Sequence, residues 1–435
     1  MSQFRLARLA LMFAAIGLNA APALMHGASA QNNAKPAAPA AAPQDSVRPD
    51  LFKLLDPAQI KPLMDAKNYT EVQNRVTQAE AFPDKTPYEI YVVNRMKLSL
   101  ASATNNDAMQ TQALEAVIAS GKLAPADQAS FTQALAQSYF NAKNYPKAIE
   151  MFKQMQANGN NTDAVNSALI RAYYFSGDYA TAVKMQGPVL EAQQKAGKTP
   201  SAEDLRLYAS AANKTKDDAA YLRGLEQLAS YYPTDDYWAD LISRGIVRKP
   251  GFSDANITNV LRLQFAASKA MSPEAYTELA ELALKDGFPT EAKKVVDAGF
   301  AAGVLGTGSA AAQHRQLRDR ANKEAATDAK NIAAGEASAA KAKSGIGLVN
   351  LGWAYVTMDQ YDKGIGFIEQ GIAKGGLKSP DEAKLRLGMA YARAGRKDQA
   401  IKTFETVKAG GGLADTAHYW VLLENHPAGG ATAAK

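Results

Sequence analysis

The 435-residue chain contains no cysteine. That excludes disulfides, thiolate metal sites, thiol nucleophiles and acylation of a lipoprotein cysteine. Histidine is nearly absent as well: His26, His314, His418 and His426 are all there are. None stands in an HExxH or HxH spacing or beside a carboxylate pair, so no metal site is expected. An excess of one charge is also missing. Lys and Arg number 49 against 43 Asp and Glu, for a net +6 that falls to +4 when Arg5 and Arg8 of the first thirty residues are set aside. With no basic stripe, this small excess excludes nucleic acid as the expected partner. The one locally basic stretch, His314 to Arg320, alternates with Gln, Leu and Asp and reads as a solvated helix face. Beyond the N-terminus no run approaches the about 20 apolar residues of a membrane span.

Catalytic motifs are missing too. There is no G-x-S-x-G elbow. Residues 192–199, AQQKAGKT, lack the first glycine of a phosphate loop, and they follow a predicted helix and precede Pro200; a true phosphate loop follows a strand. Gly303, Gly306 and Gly308 are in the wrong order for a dinucleotide fingerprint and read as a turn. Asp217-Asp218, Asp235-Asp236 and Asp381-Glu382 are adjacent carboxylates, which on a helix point apart. The last pair, after Ser379-Pro380, suits a helix N-terminus. No catalytic residue and no cofactor is expected. Trp238 with Tyr231, Tyr232 and Tyr237 forms an aromatic cluster, either a packed cap or a sugar-stacking platform.

What is present begins with an export leader over residues 1–30. Arg5 and Arg8 supply its positive region, Leu9 to Leu18 its apolar region, and Ala28-Ser29-Ala30 a small-x-small cleavage site before Gln31. Residues 31–50, rich in Ala and Pro, read as a flexible or PPII-like spacer. The style of the leader is that of a Gram-negative bacterium. The expected location is its periplasm, or the medium, with no span in the mature chain.

Self-similarity follows. YFNAKNYPKAIEMF at 139–152 matches YYFSGDYATAVKMQ at 173–186, pairing Tyr139 with Tyr173, Tyr145 with Tyr179 and Ala148 with Ala182. LGWAYVTMDQYDKGIGFIE at 351–369 matches LGMAYARAGRKDQAIKTFE at 387–405, pairing Gly352 with Gly388, Tyr355 with Tyr391 and Ile365 with Ile401. Glycine inside a helix costs about 1 kcal/mol against alanine and is tolerable where a second helix approaches closely. Ala148, Ala182 and Ala400 fill the other side of that contact. Asn144, Gly177 and Gly395 mark the turns, where a left-handed residue is needed. A weaker copy runs over 275–300 with Gly287 at its turn, another around Leu205 to Leu228 is out of register, and 51–120 is helical without clear repeat residues.

These segments resemble the tetratricopeptide repeat, whose period is about 34 residues. The resemblance implies an all-α fold of helical hairpins stacked into a right-handed superhelix, an α-solenoid, in two arrays. The expected division is an N-terminal array over 51–300, a Gly turn and Ala-rich connector over 301–345, a C-terminal repeat pair over 346–425 and a flexible tail over 426–435. It further implies a partner-binding concave face lined by the first helix of each hairpin. Asn350, Trp353 and Thr357, then Arg386, Met389 and Arg393, fall there, with Gln133, Gln137, Asn141, Arg171 and Phe175 in the N-terminal array. The expected function is a non-catalytic scaffold holding a protein or peptide segment. The alternative is a module associated with glycan or peptidoglycan of the cell wall through Trp238 or Trp353.

Overall fold

The computed structural model describes residues 45–427. The expected leader, residues 31–44 of the Ala/Pro-rich segment and the tail beyond 427 lie outside the described residues. The chain falls into two compact units, 1–182 and 183–435. The first holds α1 (Pro49–Leu55), α2 (Pro57–Asp65), α3 (Tyr69–Glu80), α4 (Pro87–Thr104), α5 (Asp107–Ala119), α6 (Pro125–Asn141), α7 (Tyr145–Ala157) and α8 (Asp163–Ser176). Helix α9 (Tyr179–Lys195) begins in the first and ends in the second. The second holds α10 (Ala202–Thr215), α11 (Asp218–Tyr231), α12 (Asp235–Ile242), α13 (Ile257–Ala267), α14 (Pro273–Lys285), α15 (Pro289–Ala301) and α16 (Ala311–Asn331). It continues with α17 (Glu336–Lys341), α18 (Ile346–Thr357), α19 (Tyr361–Lys374), α20 (Pro380–Arg393), α21 (Lys397–Phe404) and α22 (Leu413–Asn425). Among the described residues every regular element is helical, as the composition and period predict.

One turn recurs throughout. A left-handed residue stands two positions before the first residue of the second helix at Lys67, Asn105, Lys143, Gly177, Lys216, Gly287, Asp359 and Gly395, with φ from +52° at Asn105 to +91° at Gly177. It reverses the chain and lets the hairpin close. The next residue caps the second helix in five cases: Asn68, Asn106, Asn144, Asp178 and Asp217 each accept from the backbone N–H three residues on. Each such cap contributes about 1 kcal/mol. The expectation that Asn144 is the left-handed residue is corrected: Lys143 takes that conformation and Asn144 is the cap. The same turn joins α2 to α3, α4 to α5 and α10 to α11, so the segments without clear repeat residues carry the hairpin all the same. The copy at 205–228 is out of register because α9 runs 17 residues and a loop precedes α10.

The repeat positions pack as their sizes require. Ala148, Ala182 and Ala400 are fully buried, and Tyr139, Tyr355 and Tyr391 are buried rings. Each of these tyrosine hydroxyls donates to a carboxylate on the preceding helix, to Glu115, Glu336 and Glu369 respectively. Helices α18 and α19 meet glycine to glycine. A Cβ on Gly352 would lie 2.5 Å from the Gly364 carbonyl oxygen, and one on Gly345 1.9 Å from that of Gly371.

Residues 301–345 are not a spacer. Helix α16 buries His314, Leu317, Ala321 and Ala325 and packs on α14 and α15, while α17 packs on α18. His314 Nδ1 accepts the Gly306 N–H at 3.2 Å, so this stretch is not a solvated face throughout. Helix α22 then returns to α11 and α13. Lys249 Nζ meets Asp415 at 2.6 Å, Asn256 Nδ2 donates to the Gly411 carbonyl at 2.7 Å, and His418 meets Glu226 at 3.3 Å. The apolar core is continuous from Leu190 to Leu423. The two bodies therefore divide at 182 and not at a 301–345 connector. The Ala/Pro-rich segment also ends sooner than expected, since Val47 is buried and Arg48 pairs with buried Glu89 at 2.8 Å.

Candidate functional site

Arg386, Met389 and Arg393 recur at helical spacing on α20 and so share one face. Asn350 and Trp353 come from α18. In the second unit that face is covered by α13 and α15. Glu291, near the start of α15, is 2 % exposed and sits at its centre. Arg262 of α13 forks onto it, with Nε 3.0 Å from Oε1 and Nη2 2.7 Å from Oε2. Arg393 Nη2 donates to Oε1 at 3.2 Å and Trp353 Nε1 to Oε2 at 3.1 Å. Arg262 also reaches Asn259 Oδ1 at 3.2 Å. Both guanidiniums lie over the Trp353 ring, at 5.0 Å for Arg262 and 4.6 Å for Arg393. Arg386 donates to Asn350 at 2.8 Å and to Glu382 at 2.7 Å and lies 5.6 Å over the Phe288 ring.

The electrostatics follow from this enclosure. Burial alone would raise the Glu291 carboxyl, but the charges of Arg262 and Arg393, with hydrogen bonds from Arg262 and Trp353, hold it down to about 2. It is therefore a carboxylate at any physiological pH. Burial, with the like charge of Arg262, lowers Arg386 from its ordinary value.

The structure brings Asn350 to Arg386 and Trp353 to Arg393, but it leaves several of the residues expected on a binding face without access to a partner. Trp353 is 0 % exposed and Met389 1 %, and Thr357 is buried with them. They are core, and no partner can touch them. The missed residues are Arg262, Glu291 and Phe288, which close the face from the same unit. A usable signal was the α18 sequence itself: IGLVNLGWAYVT is apolar nearly all round, and its last turns, Gly352 to Thr357, are buried throughout. Trp238 is likewise 0 % exposed. This removes both tryptophans offered for glycan stacking and assigns the Trp238 cluster to packing.

The equivalent face in the first unit is open. Gln133 and Asn141 of α6 are exposed, and Gln137 donates to Asn141 at 2.9 Å. Arg171 and Phe175 come from α8. Arg171 is partly buried, whereas Phe175 is 53 % exposed. Two partly buried rings not expected on the binding face join it. Phe140 lies 5.8 Å and Tyr145 5.9 Å from Phe175, and they lie 5.6 Å from each other. The repeat alignment could have found them, because Phe140 and Tyr145 align with Tyr174 and Tyr179, and Tyr174 itself lies edge-on to Phe175 at 5.3 Å.

Comparison with known proteins places this geometry. Residues 382–409 match the family described as Tetratricopeptide repeat, and residues 133–160 match the PPR repeat. No curated protein matches the chain. Among solved structures, the TPR2AB-domain:pHSP90-complex of yeast Sti1 is 14 % identical, covers 69 % of this chain and 94 % of its own, and gives a TM-score of 0.22. Naa15/Naa10 bound to HypK-THB is 12 % identical over 86 % of this chain and 72 % of that one, with a TM-score of 0.25. Yeast Tom70 is 9 % identical over 86 % and 95 %, with a TM-score of 0.23. With the matched repeat over 382–409 and hairpins that share one turn, the chain is a repeat protein of the tetratricopeptide type.

Proposed function

We propose that this protein is a non-catalytic interaction scaffold, exported to the periplasm or beyond, that holds a protein or peptide segment against the first-helix face of its N-terminal hairpins. Tetratricopeptide repeats support protein binding as the general role. The observation that carries the choice of face is the contrast between the units. In the second, Glu291 already occupies Arg262, Arg393 and Trp353. In the first, the stripe Gln133, Gln137 and Asn141 leads to exposed Phe175. Side-chain amides both donate and accept, which suits the backbone of an extended segment, and exposed aromatic rings supply burial on docking. The basic leader with its Ala28-Ser29-Ala30 site supports export.

The test is a photoreactive residue at Gln137, crosslinked in intact cells and followed by mass spectrometry. A discrete protein adduct is the expected result. Adducts to wall fragments alone, or none above background, would overturn the reading. Reversing Arg393 is not a usable test, because it unbalances buried Glu291 and reports on folding.

A further inference from the structure

Helix α16 begins without a cap, because its N-cap residue is Ala310 and offers no side-chain oxygen. The Ala311 N–H reaches the Gly308 carbonyl at 3.3 Å and the His314 N–H reaches that of Ala310 at 3.0 Å. The N–H groups of Ala312 and Gln313 have no acceptor among the described residues. Free first-turn donors and the helix dipole favour a negative group. Such an end is commonplace, and His314 sets this one apart. Its side chain is buried, with the residue 7 % exposed. Its Nδ1 accepts the Gly306 N–H, so the neutral ring carries its proton on Nε2. That donor has no partner among the described residues. The ring lines a groove of about 700 Å³ between α14 and α16, lined also by the 307–310 turn. Small-molecule sites span about 300–1,000 Å³.

The α14 wall of the groove carries Glu274 and Glu281. Both are exposed, and neither has an ion-pair partner among the described residues. Arg320 on the α16 wall is already engaged by Glu324 at 2.8 Å. Three donors without acceptors thus share one groove with two carboxylates without cations. A simple anion would be repelled by the carboxylates. A simple cation would leave the donors unmet. No Phe, Tyr or Trp lines the groove to stack a sugar, whereas Val304 and Leu317 supply apolar surface.

We propose that this groove binds a small zwitterion, a free α-amino acid or dipeptide. Its carboxylate accepts from the Ala312 and Gln313 N–H groups and from His314 Nε2–H, and its ammonium donates to Glu274 and Glu281. The site lies in the second unit and uses no residue of the N-terminal binding face, so it stands or falls apart from the scaffold reading.

The scarcity of histidine makes the test direct. The full chain, labelled with ¹⁵N-histidine, is titrated with each common amino acid and with alanylalanine at millimolar concentration, and the imidazole resonances are followed. The expected result is that at least one compound moves the His314 signal and leaves His418 and His426 in place. The α-amide and the N-acetyl derivative of that compound each lack one charge and should bind about tenfold more weakly, the loss of one charge-assisted bond. Glu274→Gln with Glu281→Gln should weaken the parent compound about tenfold too, while leaving the N-acetyl derivative unaffected. Both positions are exposed, so the helical circular dichroism of this variant should match the parent. No movement of His314 with any compound would overturn the proposal. So would acetate binding as well as the zwitterion, which would leave a bare helix end, or an unchanged affinity in the double variant.

Discussion

Removing the charge of Glu291 tests the physical account of the second unit most directly. Glu291→Gln keeps the shape and leaves Arg262, only 1 % exposed, without a counter-charge. Breaking a buried pair from one side costs about 3–5 kcal/mol. The carboxyl gives a second route to the size of the effect. It is lowered from 4.5 to about 2 in the folded chain, and each unit of pKa corresponds to about 1.4 kcal/mol, or about 3 kcal/mol in all. The folded value lies below the unfolded one, so this stability is fully present above about pH 4.5 and is lost as the pH falls towards 2. The assay is urea unfolding followed by tryptophan emission. Trp238, Trp353 and Trp420 all lie in the second unit, so the signal reports that unit alone. At pH 7 the variant should unfold about 3–5 kcal/mol earlier than the parent. The gap should narrow steadily below pH 4.5. A loss under about 0.5 kcal/mol, the range of a neutral surface change, would refute the argument, as would a gap that does not change with pH.

Three further outcomes are expected. Gly352→Ala drives a methyl to 2.5 Å from a backbone oxygen and should cost about 3 kcal/mol or more, whereas Gly366→Ala in the facing helix meets nothing within 4 Å and should gain about 0.5–1 kcal/mol; denaturant midpoints of the two variants decide. Lys216→Gly relieves a left-handed φ of +58° and should stabilise the second unit by about 0.5–1 kcal/mol in the same urea assay. In a proton resonance titration His418, raised by its hydrogen bond to Glu226, should titrate above His426, lowered by burial. The folded His418 value is the higher one, so its contribution is full below about pH 6.5, the unfolded value, and is lost as the pH rises through the folded value.

Local features were legible in the sequence, and long-range closure was not. Tyr139 against Tyr173 and Gly352 against Gly388 gave the hairpin and its period, because size alternation inside one hairpin is written within about 34 residues. The left-handed turns at Gly177, Gly287 and Gly395 were equally plain, while Lys67, Lys143 and Lys216 hid the same turn behind an ordinary residue. The covering of Trp353 could not be read the same way. Its partners Glu291 and Arg262 lie 62 residues or more before it, and the period names an apolar face without naming what packs on it. For the same reason the return of α22 to Lys249, 166 residues distant from Asp415, left no mark in the pattern. In the first unit Gln137 and Phe175 lie on α6 and α8, the first helices of their hairpins, with Phe175 53 % exposed.

The glycines of α18 and α19 have a consequence for how this sequence can drift. Gly345 faces Gly371, and Gly352 faces Gly364, so the same spacing of seven residues runs in opposite directions along the two helices. At each of the four an added Cβ meets opposing main chain first or nearly so, with the Ile368, Val356 and Val349 side chains also pressed against Gly352, Gly364 and Gly371. A methyl added on one helix of the pair meets a carbonyl oxygen of the other, which no change of side chain opposite can remove. Each of the four positions is thus locked by a neighbour already at the minimum size. Among descendants of this chain, these four should be the last of its repeat residues to vary, outlasting the tyrosines that first reveal the repeat.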